Sequence, residues 1–327
     1  MQSTVLILGA RGRFGLAAAR AFADAGWQVK GLIRPGARAR EGFAAHDRIT
    51  WLTADLHDTA GVVRAAQGAT LVVHALNPVY THKAWRAQAL SMTDAALGIT
   101  RTLGATLMFM GNVYNFGADM PAVLTEDTPQ RAATVKGQIR IAMEDQMRRS
   151  GVRTIVIRAG DFFGNGRGTW FDQAIVKDIQ KGKFTYPGHA EVATAWAYLP
   201  DIARTFVQVA EHRSRLKSFE VFHFRGHTVS AAQWLEAINS IAREQAWVGP
   251  QSQVRRVAFP WLAIRLGSPF VATWAALMEM RYLWNKAHTL DNRKLLALIG
   301  DEPHTPLTEA LALTLADLGY IRSTGPA

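Results

Sequence analysis

The sequence contains no cysteine. Disulfides, thiolate metal sites and a cysteine nucleophile are therefore excluded. The same absence fits the cytoplasm without establishing it. Long apolar runs are missing as well. The best candidate, residues 262–278, is interrupted by Arg265 and Pro269 and falls short of a membrane span, so no membrane partner is expected. Met1-Gln-Ser-Thr leads straight into an apolar run, with no basic stretch or cleavage signal before it, so no signal peptide is expected. There is no internal repeat, low-complexity tract or spaced set of metal ligands, and no metal is expected. Acidic charge is short: 26 Asp and Glu stand against 37 Lys and Arg, a formal net charge of +11. That excess suits a polyanionic partner such as a phosphorylated cofactor or an acidic substrate. A solvated basic surface is the preferred reading of it, and a nucleic-acid partner, which rests on charge alone, is not expected.

What is present begins with a chain of 327 residues, 49% of them hydrophobic. That suffices for one large α/β domain and a smaller one. Val5-Leu-Ile-Leu8 is the short apolar run of a buried parallel strand. It is followed at once by Gly9-Ala-Arg-Gly12-Arg-Phe-Gly15 and then by an alanine-rich stretch, Leu16 to Ala25, with Gly26 as its stop. Strand, glycine turn and helix in this order form a dinucleotide cradle. Gly9 permits the sharp turn, Gly12 lets backbone approach a pyrophosphate at the helix N-terminus, and Gly15 lets helix pack on strand. Arg11, Arg13 and Phe14 lie in the same loop.

One further absence is informative. A cradle selective for NAD carries an acid near the end of the second strand, where it binds the ribose 2′-hydroxyl. Here Val29 to Ile33 is followed by Arg34, with no acid nearby. A guanidinium binds a 2′-phosphate that a carboxylate would repel. NADP(H) is therefore expected over NAD, with Arg34 as the selector and Arg11 and Arg13 within reach of the same phosphate. Ile49 to Leu56 and Thr70 to Pro78 read as third and fourth strands at βαβ spacing. The fold class expected is α/β: a doubly wound parallel sheet (Rossmann fold) with a second, smaller, mostly helical C-terminal domain.

By this point the sequence resembles an extended short-chain dehydrogenase/reductase of the NAD(P)-dependent epimerase/dehydratase family. The resemblance rests on Gly9, Gly12 and Gly15, on Asp55-Leu56 after strand three and on His74-Ala75 after strand four. It continues through Val113-Tyr114, Arg158-Ala-Gly-Asp161-Phe-Phe-Gly164 and Tyr198-Leu-Pro-Asp201-Ile-Ala203. It is good over roughly residues 1–225 and loose beyond. It implies that Asp55 and Leu56 lie against the adenine and that residues 74–78, with Asn77 on the substrate side, lie along the cofactor. It also implies a discontinuous division: a Rossmann domain of residues 1–160 and 193–225, and a substrate domain of 161–192 and 226–327. Asp161, Tyr186 and His189 would line the substrate cleft; His189, after a Pro-Gly turn, also reads as a surface loop residue. Asp201 reads as a helix N-cap.

The family's catalytic pair, a tyrosine and a lysine four residues apart on one helix, is replaced. Aligned on Glu144, the tyrosine position holds Lys136 and the lysine position Arg140, and Asn112 stands where strand five usually offers serine or threonine. Lys136-Gly-Gln-Ile-Arg140 thus resembles an atypical branch of the family. Tyr114 and Lys136 become the candidate proton donors, the lysine only if burial lowers its pKa. Arg140 keeps its proton but can hold ribose or phosphate, and Asn112 can donate to a substrate oxygen. The plainer reading makes Lys136 and Arg140 an exposed basic face, with Arg140 reaching Glu144, and Tyr114 a packed aromatic.

In the C-terminal third Ser230 caps a helix, residues 275–284 read as another, and Pro306 to Leu318 as the last. The tryptophans here read mostly as core, with some left to wall the cleft. The expected function is oxidoreduction or epimerisation at a carbonyl or hydroxyl of a small molecule, such as a nucleotide sugar. The alternative is a non-catalytic NADP(H)-binding regulatory protein. A homodimer is expected by resemblance, paired through helices at about 85–103 and 134–150 with Leu90, Met92, Ala95, Leu97, Ile99, Ile139, Ile141, Ala142 and Met143 inside.

Overall fold

A computed structural model describes residues 3–37, 46–249 and 251–321. Seven parallel strands form the main sheet: β1 Thr4–Leu8, β2 Gln28–Ile33, β3 Ile49–Thr53, β4 Leu71–His74, β5 Thr106–Asn112, β6 Thr154–Ala159 and, later in the chain, β10 Phe219–His223. Their spatial order is β10-β6-β5-β4-β1-β2-β3. Chain order reverses between β1 and β4, which makes the carboxyl ends of these two strands the topological switch point. Val5 to Leu8 and Leu71 to Val73 are wholly buried because helices cover both faces.

Helix α1 (Arg13–Asp24) turns a row of alanines and Phe22 inward and packs on α5 (Leu199–Glu211). On the other face α3 (His82–Leu103) lies between α2 (Thr59–Ala65) and α4 (Val135–Arg149). Several residues expected at a dimer interface belong instead to the chain's own core. Ala95, Leu97, Ile99 and Met143 are buried, leaving Leu90, Met92, Ile139, Ile141 and Ala142 at least partly accessible.

A second core forms around a three-stranded sheet of β7 (Asp161–Phe163), β9 (Thr194–Tyr198) and β11 (His227–Val229). Trp234, on α6 (Ala231–Glu244), sits at its centre, with ring centroids 5.1 Å from Phe163, 5.0 Å from Phe171 and 5.6 Å from Trp196. Ser230 caps α6 as expected and exchanges bonds with Gln233 in a full capping box. A short parallel ladder joins β8 (Lys183–Tyr186) to β12 (Arg255–Ala258). Helices α7 (Trp261–Gly267), α8 (Ala272–Met278), α9 (Arg293–Ile299) and α10 (Leu307–Asp317) complete the chain.

Three local expectations are corrected. Residues 275–284 are not one helix: α8 stops at Met278 and a tight turn, Arg281–Trp284, follows. Asp201 is not a cap, because Pro200 starts α5 earlier, with Tyr198 capping and Asp201 inside the first turn. Finally, Leu295, Leu298 and Ile299 of α9 pack on the main-sheet core rather than on the smaller domain.

Candidate active site

The glycine loop runs from the end of β1 to α1 at the switch point. Gly9 has φ +80°, and a Cβ there would sit 2.9 Å from the Ala75 carbonyl oxygen. A Cβ on Gly15 would stand 2.3 Å from the Gly9 carbonyl oxygen. Neither position admits a side chain, so loop, strand end and helix are fitted to one another. Gly12 is exposed and precedes the first turn of α1, whose leading N–H groups need acceptors. This cradle fits a pyrophosphate. Arg11 and Arg34 are exposed beside it, and Asp55 is exposed with Oδ1 accepting from the His57 N–H at 2.8 Å.

Two residues of the loop are placed otherwise than expected. Arg13 turns away from the β2 end: Nη2 donates to the Gly164 carbonyl at 2.6 Å and Nη1 lies 3.4 Å from Asp172. Asp172 lies in the short helical turn Phe171–Ile175, and both side chains of the pair are largely shielded from solvent. The Phe14 ring packs on Phe206 of α5, 4.8 Å between centroids, leaving only its backbone toward a cofactor.

After β4, His74 is a core histidine. Its Nδ1 accepts from the Leu76 N–H at 3.3 Å and Nε2 meets Thr93 Oγ1 at 3.4 Å. Burial, then the charge of Arg140, lowers its pKa to about 3, so it stays neutral. Arg140 is buried between the rings of Trp85 and Phe109, each 5.2 Å from its guanidinium carbon. Its Nη atoms donate to the Met110 carbonyl and to Asn77 Oδ1, both at 3.2 Å. Both groups expected to touch ribose or substrate are thus engaged with each other. Nε alone is buried without a partner. Burial lowers the guanidinium to about 10, still charged at neutral pH. The expected contact from Arg140 to Glu144 is absent; Glu144 instead makes a buried forked pair with Arg158, 2.6 and 3.0 Å, and accepts from Asn115.

Asn112 uses its side-chain oxygen to cap the turn after β5, accepting from the Tyr114 N–H at 3.0 Å. It positions Tyr114 rather than reaching a substrate through that oxygen. The Tyr114 phenol is pushed well above the usual range by burial and then by the negative charge of Asp161, against which Tyr80 and Arg140 act only partly. A phenol so shifted holds its proton at neutral pH and can donate a hydrogen bond.

Lys136 is fully buried, not exposed. Nζ donates to the Ala276 carbonyl at 2.8 Å and to Glu279 at 3.1 Å, and lies 4.2 Å over the Tyr80 ring. Burial lowers its pKa and Glu279 opposes the fall; Arg140 takes no part. Glu279 also accepts from the Val135 N–H at 3.0 Å and the Lys136 N–H at 3.3 Å, and its Oε1 lies 3.1 Å from His82 Nε2. The lysine is therefore locked in a cluster at the start of α4.

A second carboxyl beside these tyrosines is Asp161. It opens β7, and its Oδ2 accepts from Trp284 Nε1 at 2.9 Å. Desolvation raises its pKa to about 6, with the Trp284 bond opposing. It is close enough to Tyr80, Tyr114, Tyr186 and Tyr282 to raise the pKa of each. Tyr186 is buried, its phenol raised to about 12 chiefly by that burial. Tyr80, Trp170, Trp284 and Trp261 follow one another at 5.3, 6.5 and 6.0 Å and form an aromatic wall. His189 is exposed on its loop. Sequence reasoning missed Tyr80, Glu279, Tyr282 and Trp284: their roles arise from segments far apart in the chain, and only the excess of aromatics hinted at a wall.

A family model for the NAD dependent epimerase/dehydratase family matches residues 5–223. The chain belongs to that family. Among solved structures it is similar to a putative epimerase from Burkholderia cenocepacia, with a TM-score of 0.75, 19% identity and 96% and 97% of the two chains covered. It is similar to the Bordetella bronchiseptica enzyme WbmH, solved in complex with NAD+: TM-score 0.72, 17% identity, 99% and 100% covered. A UDP-glucose 4-epimerase gives a TM-score of 0.76 at 12% identity, with 99% and 100% covered. Comparison with curated proteins found no match.

Proposed function

We propose that the chain is an NADP(H)-preferring enzyme that oxidises and reduces a carbon bearing a hydroxyl or carbonyl, with a nucleotide sugar as its substrate class. The observation that carries this reading is Asp161. It is a desolvated carboxyl, poised near pH 6, beside Tyr114 and under an aromatic wall. Gly9, Gly12, Gly15 and the first turn of α1 would hold the pyrophosphate, and Arg11 and Arg34 the 2′-phosphate. A nicotinamide held there would supply the hydride acceptor or donor.

Asp161 replaces the family tyrosine in the proton step. The ionised carboxylate takes the proton of the substrate hydroxyl as hydride leaves the same carbon, giving a carbonyl and a neutral carboxyl. On reduction, that carboxyl returns the proton. Tyr114, which keeps its own proton, donates a hydrogen bond to the same oxygen. Support for the nucleotide-sugar class comes from the epimerase/dehydratase family and from the UDP-glucose 4-epimerase as a neighbour. The test is a panel of UDP- and dTDP-sugars incubated with NADP+ or NAD+, read by absorbance at the reduced nicotinamide band and by product chromatography. Turnover of at least one nucleotide sugar, faster with the phosphorylated cofactor, is expected. Tight NADPH binding with no turnover of any sugar, alcohol or ketone contradicts the reading and favours a regulatory NADP(H)-binding protein.

A further inference from the structure

Far along the chain from the glycine loop, three residues from separate segments converge: Asp201 in the first turn of α5, His227 on β11 and His304 in the loop before α10. One potential donor atom of each lies within 4.8 Å of the others. We propose that Asp201, His227 and His304 bind a divalent transition-metal ion of the zinc class.

The three groups are prepared as ligands. Asp201 is buried and its carboxylate is oriented by neighbours. Thr305 donates its N–H to Oδ2 and its hydroxyl to Oδ1, both at 2.7 Å, and Arg204 donates to Oδ1 at 2.5 Å. A carboxylate offers about four lone-pair sites. Three are used, and the fourth, on Oδ2, is left for an ion. Such outer bonds are how ligating carboxylates are held in place. His227 is 5% exposed, and its Nε2 is buried with no hydrogen-bond partner. An unpaired imidazole nitrogen costs free energy that an ion would recover.

His304 is exposed and its ring centroid lies 4.5 Å from that of His227. Both histidines line an open groove of about 530 Å³, together with Arg225, Asn292 and Glu302, which gives an ion its way in. Two imidazoles and one carboxylate suit zinc, nickel or cobalt better than magnesium or calcium, which prefer oxygen sets. Opposing charges come from Arg204, whose half-exposed side chain pairs with Asp201, and from Arg225 in the groove lining. A bound ion would clip the start of α5 and β11 to the loop that enters α10. Sequence reasoning found no such set because the ligands are 26 and 77 residues apart (227 − 201 and 304 − 227).

The experiment titrates the tag-free full chain with Zn²⁺ by calorimetry and with Co²⁺ by visible absorption. The expected result is one ion per chain, with a strong d–d band of a four- or five-coordinate site. His304→Ala, an exposed change that leaves the fold intact, should weaken binding roughly tenfold or more. His189→Ala, an exposed histidine elsewhere, should not. Zinc should raise the melting temperature of the parent but not of His304→Ala. Absence of saturable binding, or equal binding by parent and His304→Ala, overturns the proposal.

Discussion

At the scale of single residues the account turns on Asp161. Asp161→Asn keeps the shape and removes the proton acceptor, so turnover should fall about a hundredfold to ten-thousandfold, the usual contribution of a general acid or base. Tyr114→Phe should cost less, since it removes one hydrogen bond. The raised pKa also predicts a stability effect of definite sign. The folded-state value is about 6 and the ordinary value 3.8, so the folded protein holds an extra proton between them. The associated stability is present below about pH 4 and is lost as pH rises to about 6. Asp161→Asn abolishes that loss, so urea unfolding should show the variant gaining on the order of 2 kcal/mol on the parent between pH 4 and pH 7. An equal difference at both pH values contradicts the assignment. Asp161 was legible in sequence only as a substrate-cleft residue implied by the family resemblance. Its desolvation was not, because Trp284 lies 123 residues further along.

At the scale of elements, α4 shows why the basic residues at 136 and 140 are not an exposed face. Glu279, placed by the break after α8, accepts from two backbone N–H groups at the start of α4 and from Lys136 itself. Glu279→Gln strands a buried ammonium and should destabilise the fold by about 3 kcal/mol in denaturant unfolding. Lys136→Met combined with Glu279→Leu should recover most of that loss, and the double variant should keep its turnover. Loss of activity without loss of stability would return Lys136 to the chemistry. Local signals read well here: the glycine loop, the Ser230 capping box and the stop at Gly26 follow from a few adjacent residues. The break at Glu279 does not, because its cause is a contact with a helix more than a hundred residues earlier.

At the scale of the whole molecule, the doubly wound sheet was legible because fully buried parallel strands leave near-continuous apolar runs at βαβ spacing. Membership of the smaller domain was less so: α9 returns to the main sheet through leucines that read the same in either core. Pairing of two copies remains a proposal, with the interface narrowed to Leu90, Met92, Ile139, Ile141 and Ala142, and a monomer mass in light scattering at micromolar concentration contradicts it. Cofactor preference belongs to this scale too. NADPH should bind more tightly than NADH, and Arg34→Ala should narrow the gap; equal affinity in the parent contradicts the role of Arg34. The most direct test of the central claim is the pH dependence of single-turnover hydride transfer, once a nucleotide sugar is found. In the parent the rate of substrate oxidation should rise with pH through an inflection near 6, and Asp161→Asn should be slow and lack that inflection. A profile that keeps its inflection in Asp161→Asn, at an undiminished rate, would show that the proton passes elsewhere.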